Sequence, residues 1–297
     1  FMNSNSLQLV ERSRLTSAFS SIREFGLFLS GNFRLNGQGS YLRPYFVLTN
    51  GDGINNFDKD LGGLKIGGRI DFLPFGLFTN KGQFRQIDVM RELTPKFVIG
   101  VNYSHNSGMT SRRGRNSGSI LYLNELGQQS LPDYTKYGID FLFKYNGFSA
   151  LGEYVKSSST VPTDIIERVR NDGSTSSSFL VNGVQDIESY VNGRMMLGEA
   201  YNIQMGYLFK SGITIDSRYT HLKADDNSFL NNATFYNRPN YYTLGIGKLL
   251  GRNYGAKIQG SITLVDGSLG VNHDNDTATD VVFKDELLFR LITTISF

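Results

Sequence analysis

Residues 285–297 alternate strictly between two kinds of position. Phe289, Leu291, Thr293, Ile295 and Phe297 share one face, and Leu288, Arg290, Ile292, Thr294 and Ser296 share the other. Period-two alternation predicts a strand, because successive side chains leave a strand on opposite sides. One side suits lipid; the other, with its arginine and hydroxyls, suits water. The closing strand of a soluble sandwich would show the same pattern in this one segment, so the rest of the chain has to separate the two readings.

The alternation recurs upstream. Phe25, Leu27, Leu29, Phe33 and Leu35 form one series, and Leu42, Pro44, Phe46 and Leu48 the next. Leu64, Ile66, Ile70 and Phe72 face away from Lys65, Gly67, Arg69 and Asp71. Phe97, Ile99, Val101 and Tyr103 follow. Tyr137 to Tyr145 and Phe148 to Tyr154 then form a hairpin about Asn146-Gly147, a dipeptide suited to tight hairpin turns. Further strands are carried by Tyr201 to Phe209, Ile213 to Tyr219, Tyr242 to Ile246 and Ala256 to Leu264. The count is about eleven. Residues 1–22 alternate poorly; Leu7, Leu9, Val10, Leu15 and Phe19 fit one side of a short irregular helix, although a twelfth strand there is the rival reading.

Connections decide between sandwich and barrel. Most alternate between a few residues and a dozen or more, with long loops at 50–60, 105–133, 156–198, 223–240 and 266–284. Short turns at one end and long loops at the other predict an antiparallel transmembrane β-barrel. Residues 74–95 break the rule, being long where a short turn is due. Phe33, Tyr145, Phe148 and Phe297 lie towards the short turns, and Tyr103, Tyr137, Tyr154, Tyr201 and Tyr242 towards the long loops. These fit two interfacial aromatic girdles. Barrels of this kind have an even number of strands, and counting back from Phe297 starts the strand at Arg23 from the long-loop end. Residues 1–22 are then expected to be the tail of an extracellular or infolded loop, residues 23–297 the C-terminal part of the barrel, and an odd number of strands to be supplied elsewhere.

Composition agrees with strands rather than membrane helices. The chain of 297 residues is 39% hydrophobic, with 33 Gly, 16 Tyr and 22 Phe against 6 Pro. No run reaches the ~18 apolar residues of a membrane helix. No signal peptide precedes Phe1, so the chain is expected to be mature or cut further. Zero cysteines exclude disulfides and thiolate metal sites, and a net charge of +3 gives no argument for nucleic acid.

Short stretches in the first third carry a family likeness. They are Leu9-Val10-Glu11-Arg12-Ser13, Arg23-Glu24-Phe25-Gly26-Leu27-Phe28-Leu29-Ser30-Gly31, Asn50-Gly51-Asp52-Gly53, Gly67-Gly68-Arg69-Ile70 and Pro74-Phe75. The sequence resembles the phosphate-selective porin O and P family of Gram-negative outer membranes. The resemblance implies a barrel of sixteen strands when complete, a homotrimer, and passage of small anionic solutes such as phosphate. It also implies a constriction on an infolded loop, for which Arg12, Arg14 and Arg23 (with Glu11) are the candidates. The final strand ending on Phe297 resembles the signal that such barrels present to their assembly machinery. Outer-membrane lipid and lipopolysaccharide are the surroundings this implies.

Wall charges are the main functional signal. The polar face is expected to carry Arg34, Arg43, Lys65, Arg69, Lys136, Lys144, Lys210, Arg218, Lys257 and Arg290 against Glu24, Asp71, Asp140, Glu153 and Asp216, ten cations to five anions. Rings of Arg and Lys lower the electrostatic barrier for anions. The plainer reading is a wall whose charges pair across strands. Arg69, beside Gly67 and near Asp71, is expected to reach the pore axis and to matter more for selectivity than Lys257. Arg112, Arg113 and Arg115 could bind lipopolysaccharide phosphates or simply be solvated. Asp52, Asn55, Asn56, Asp58 and Asp60, and separately Asp274, Asn275 and Asp276, offer oxygen atoms to calcium but lack EF-hand spacing, so turn chemistry is preferred. His105, His221 and His273 have no metal spacing, and no Ser/His/acid constellation is evident. No enzyme, metal or cofactor is therefore expected. The function expected is an outer-membrane porin; the alternative is a non-transporting barrel subunit or scaffold in an envelope assembly.

Overall fold

A computed structural model of the chain describes residues 6–20, 24–35, 39–51, 62–110, 121–170, 172–226, 238–251, 255–267, 269–272, 277–282 and 284–295. The protein is all-β, built on one antiparallel sheet. Eleven strands follow one another in chain order: β1 Gly26–Ser30, β2 Tyr41–Thr49, β3 Lys65–Leu73, β4 Lys96–Asn106, β5 Asp133–Tyr145, β6 Phe148–Thr160, β7 Gly198–Leu208, β8 Ile213–Ala224, β9 Asn240–Leu249, β10 Ala256–Val265 and β11 Glu286–Ile295. The short segment Phe33–Arg34 also pairs with β2 and makes the twelfth strand. Every neighbour in the order is also a neighbour along the chain. Among the described residues no pairing joins β1 to β11, so these two are the ends of the order.

The registers keep like with like. Tyr207 opposes Phe148 on one side and Ile215 on the other, while Gln204 opposes Leu151 and Arg218. Each cross-strand row is thus uniformly of one face, which a slip of one residue would invert. At the β5–β6 hairpin, Asn146 and Gly147 have φ of 48° and 92°, the left-handed pair that a two-residue turn demands.

The apolar face is exposed. Ile203, Leu244, Ile246 and Phe289 are 48%, 64%, 61% and 70% accessible. The polar face is buried, Asn202, Gln204, Asp216, Thr220, Thr243 and Lys257 among it. Three inserted segments cover that face. Residues 6–20 cross it and include helix α1, Arg14–Phe19, whose N-cap Ser13 accepts from the Thr16 amide. Leu15, Ala18 and Phe19 pack there on Val155, Ala200, Leu222 and Tyr241. Residues 74–95 pass along the short-turn end, where Phe78 packs with Leu73, Val98, Leu142 and Leu151, and Ile87 with Leu208 and Leu249.

At the long-loop end the segment between β6 and β7 forms a cap with its own apolar core. Helix α2, Ile187–Gly193, starts at N-cap Asp186 and supplies Tyr190 and Val191. Met109, Tyr122, Tyr134, Ile165, Phe179 and Met195 complete that core. No described helix is long and apolar enough to cross a membrane, which says nothing of strands.

Candidate functional site

The polar face of the sheet and the segments lying on it form the candidate site. Gln8 is its centre. Its side-chain amide donates to Asp216 Oδ1 at 2.7 Å and Ser149 Oγ at 3.2 Å, and its Oε1 accepts from Gln204 at 2.8 Å. Its backbone N–H donates to Gln86 Oε1 at 2.8 Å and its carbonyl accepts from Gln259 at 2.6 Å. Both hydrogen-bonding ends of one glutamine are therefore satisfied in a buried setting, where an unmet polar group costs most. Gly206 makes this approach feasible: a Cβ there would lie 2.0 Å from both Gln8 Nε2 and Asp216 Oδ1. Gly245 does the same for Leu9, whose Cδ2 would be 2.3 Å from an added Cβ.

Residues 6–20 and 74–95 are held by the cations that the alternation assigns to this wall. Lys257 Nζ donates to the Leu7 carbonyl at 2.6 Å, and Lys136 Nζ to that of Phe19 at 2.8 Å. Arg218 donates to the Glu11 carbonyl, and Arg290 to the Glu11 carboxylate, both at 2.8 Å. Lys144, almost fully buried, donates to the Gly82 and Ile87 carbonyls at 3.0 and 2.8 Å. The two segments meet where Gln86 N–H donates to Ser6 O at 3.1 Å and Gln86 Oε1 accepts from Gln8.

The other wall cations sit in different company. Arg69 is clamped by carboxylates: Nε donates to Asp71 at 2.6 Å, and both terminal nitrogens donate to Asp140, Nη2 at 2.7 Å. Gly100 leaves the room this needs, since a Cβ there would lie 2.1 Å from Arg69 Nη2. Lys65 pairs with Glu24 at 2.6 Å. Arg43 is stacked instead, 4.7 Å from the Phe84 ring centroid and 5.6 Å from that of Tyr45. It makes no ion pair among the described residues. Arg34 is exposed beside β2. Lys210 lies off the sheet, exposed in the turn between β7 and β8.

Of the constriction candidates, Arg14 lies 5.4 Å from the Tyr241 ring centroid, Arg12 is half-buried on the same segment, and Arg23 lies outside the described residues. Phe297, the arginines at 112, 113 and 115, the acidic groups at 52–60 and 274–276, and His273 also lie outside them. His105 Nδ1 meets Thr135 Oγ1 at 2.9 Å and His221 Nδ1 meets Asn240 Oδ1 at 2.8 Å. Among the described residues no group of three His, Cys, Asp or Glu could hold a metal.

Gln8, Gln86 and Gln204 carry no signal in the sequence, and Gln259 is marked only by its place on the polar face of its strand. Neutral amides carry no charge signal, and what distinguishes these is the company that the fold gives them. Comparisons with family models, curated proteins and solved structures find no match to this chain.

Proposed function

We propose that the protein is a bacterial outer-membrane β-barrel of porin type, a passive channel preferring small anions such as phosphate. The inverted distribution of the two faces carries this reading. A sheet that exposes Ile203, Leu244 and Phe289 while burying Asp216, Arg218 and Lys257 is suited to an apolar solvent outside and polar contents within. Tyr103, Tyr137, Tyr201 and Tyr242 near the long-loop ends, and Tyr145, Phe148 and Tyr207 near the short turns, are exposed where headgroups would lie. A membrane-spanning form needs its two sheet edges paired, directly or through additional strands, because lipid satisfies no backbone group. The likeness to the porin O and P family is the ground for sixteen strands, trimeric assembly, phosphate, and recognition of the last strand by barrel assembly machinery.

Reversal potentials of the purified protein in planar bilayers under a salt gradient test the function. Anion preference is expected; cation preference would remove the anion claim.

A second reading has its own observation. Lys136, Lys144, Arg218, Lys257 and Arg290 are engaged by inserted segments rather than left to passing solute. A barrel of this build serving as a non-transporting subunit or scaffold would show no conductance and would purify with a stoichiometric envelope partner.

A further inference from the structure

We propose that the turn joining β7 to β8 is a binding site for the phosphate headgroup of an anionic phospholipid; this rests on the membrane reading above. Three cations gather on that turn. Arg91, from the 74–95 segment, donates to the Leu208 carbonyl and, through Nη2, to the Asn146 carbonyl at 2.8 Å and the Tyr207 hydroxyl at 3.2 Å. Its guanidinium also lies 5.6 Å from the Tyr207 ring centroid. Lys248, on the apolar face of β9, donates to the Ser211 carbonyl at 2.6 Å. Lys210 stands between them in the turn and is exposed.

Carbonyls fix two of these cations in place without neutralising them. None of the three forms an ion pair among the described residues. The nearby carboxylates of Asp88 and Glu92 are buried and turned to other work. Asp88 accepts from the Gly147 and Glu92 amides, and Glu92 accepts from Thr79. Gly147 belongs to the construction, since a Cβ there would lie 2.5 Å from Arg91 Nη1.

Position on the molecule identifies the occupant. The cluster ends the exposed apolar face, directly below the cross-strand row Tyr145, Phe148, Tyr207 and Ile215. Phe209 meets Tyr207 edge-on at 4.9 Å, and both rings are partly exposed. Aliphatic rows, then aromatic rings, then uncompensated cations is the order in which acyl chains, glycerol and phosphate follow one another at a bilayer surface. A soluble anion would need the cations and would have no use for the adjoining apolar face.

Native mass spectrometry of the refolded full chain in detergent, given equimolar phosphatidylglycerol and phosphatidylcholine, tests the site. The wild type should retain phosphatidylglycerol preferentially. Each lysine removed, in Lys210→Gln, Lys248→Gln and the double variant, should lower that preference about fivefold. Arg91 is left in place because it holds the turn. Equal retention of the two lipids by the wild type would overturn the proposal, as would an unchanged preference in a double variant that keeps heat-modifiable migration. Displacement of phosphatidylglycerol by millimolar inorganic phosphate would overturn it in favour of a free-anion site. Should the double variant fail to fold, the wild type decides: a preference that survives 1 M salt contradicts a phosphate–lysine contact, and its loss supports one. Entry into pure phosphatidylcholine vesicles is scored separately, so a lost lipid site and a failed membrane reading remain distinguishable.

Discussion

On one side of β9, Tyr242, Leu244 and Ile246 are exposed; on the other, Tyr241, Thr243 and Gly247 are buried. Adjacent residues of one strand thus follow opposite rules, and burial here does not track hydropathy. In a water-soluble sheet the apolar row would be the hidden one. The two faces are matched to different surroundings. The polar face behaves like the interior of a protein: many of its donors and acceptors are paired, by Gln8, Gln86 and the carbonyls of two inserted segments, although Thr214 Oγ1, Asp216 Oδ2 and the Tyr241 hydroxyl are buried without a hydrogen-bond partner among the described residues. Among the described residues, the apolar face is left without protein partners along the middle of the sheet.

The largest effect should come from violating the apolar face. Leu244→Arg places a charge mid-strand among Ile246, Ile262 and Phe289, and should cost about 2–4 kcal/mol of stability in vesicles. Urea titration of the heat-modifiable form measures it; a variant as stable as wild type would mean that this face does not meet hydrocarbon. Lys144→Met attacks the polar face from the other direction. It strips the Gly82 and Ile87 carbonyls of their buried donor and should cost about 2–3 kcal/mol by the same titration. An unchanged midpoint would show that the 74–95 segment is held by its other contacts, the apolar packing of Phe78 and Ile87 and the bonds of Arg91 and Asp88.

Gln8→Ala changes no residue of the sheet but removes the bonds that tie the inserted segment to Ser149, Gln204 and Asp216. A loss of about 1–2 kcal/mol is expected, with larger or noisier single-channel steps as residues 6–20 loosen. Unaltered conductance in a folded variant would place these residues outside the solute path. The smallest effect is on selectivity. Arg43→Gln should shift the reversal potential towards cations more than Arg69→Gln does, because Arg69 is already compensated by Asp71 and Asp140. The opposite ranking would return Arg69 to the special role that its sequence setting implies.

Strand positions and faces were legible because period-two alternation is a local signal, and burial of one face reinforces it along the central strands, though not in β1, which is exposed throughout. The Asn146-Gly147 turn was legible from its dipeptide, and a short helix within residues 1–22 was one of two readings of a stretch that alternates poorly; the structure places it at Arg14–Phe19. The partners of the wall cations were not. Alternation puts Lys257 and Arg218 on the polar face, but what they bond to is a segment 250 and 207 residues away, at Leu7 and Glu11. One hint was present: residues 74–95 are too long for a turn, and the excess length is what covers the short-turn end of the polar face. The cap core about Tyr122, Phe179 and Tyr190 left no period in the sequence, being assembled from short pieces of several loops.

The central claim, that the apolar face meets lipid while the polar face does not, is open to direct measurement because the chain has 0 cysteines. Single cysteines introduced in turn at residues 241–247 of β9, each carrying a nitroxide, would be reconstituted into vesicles and probed by power saturation. Accessibility to dissolved oxygen is expected to peak at Tyr242, Leu244 and Ile246 and to fall at the positions between, with a water-soluble nickel chelate excluded from Leu244 and Ile246. Accessibility to the chelate at Leu244 equal to that of a solvated loop would contradict it.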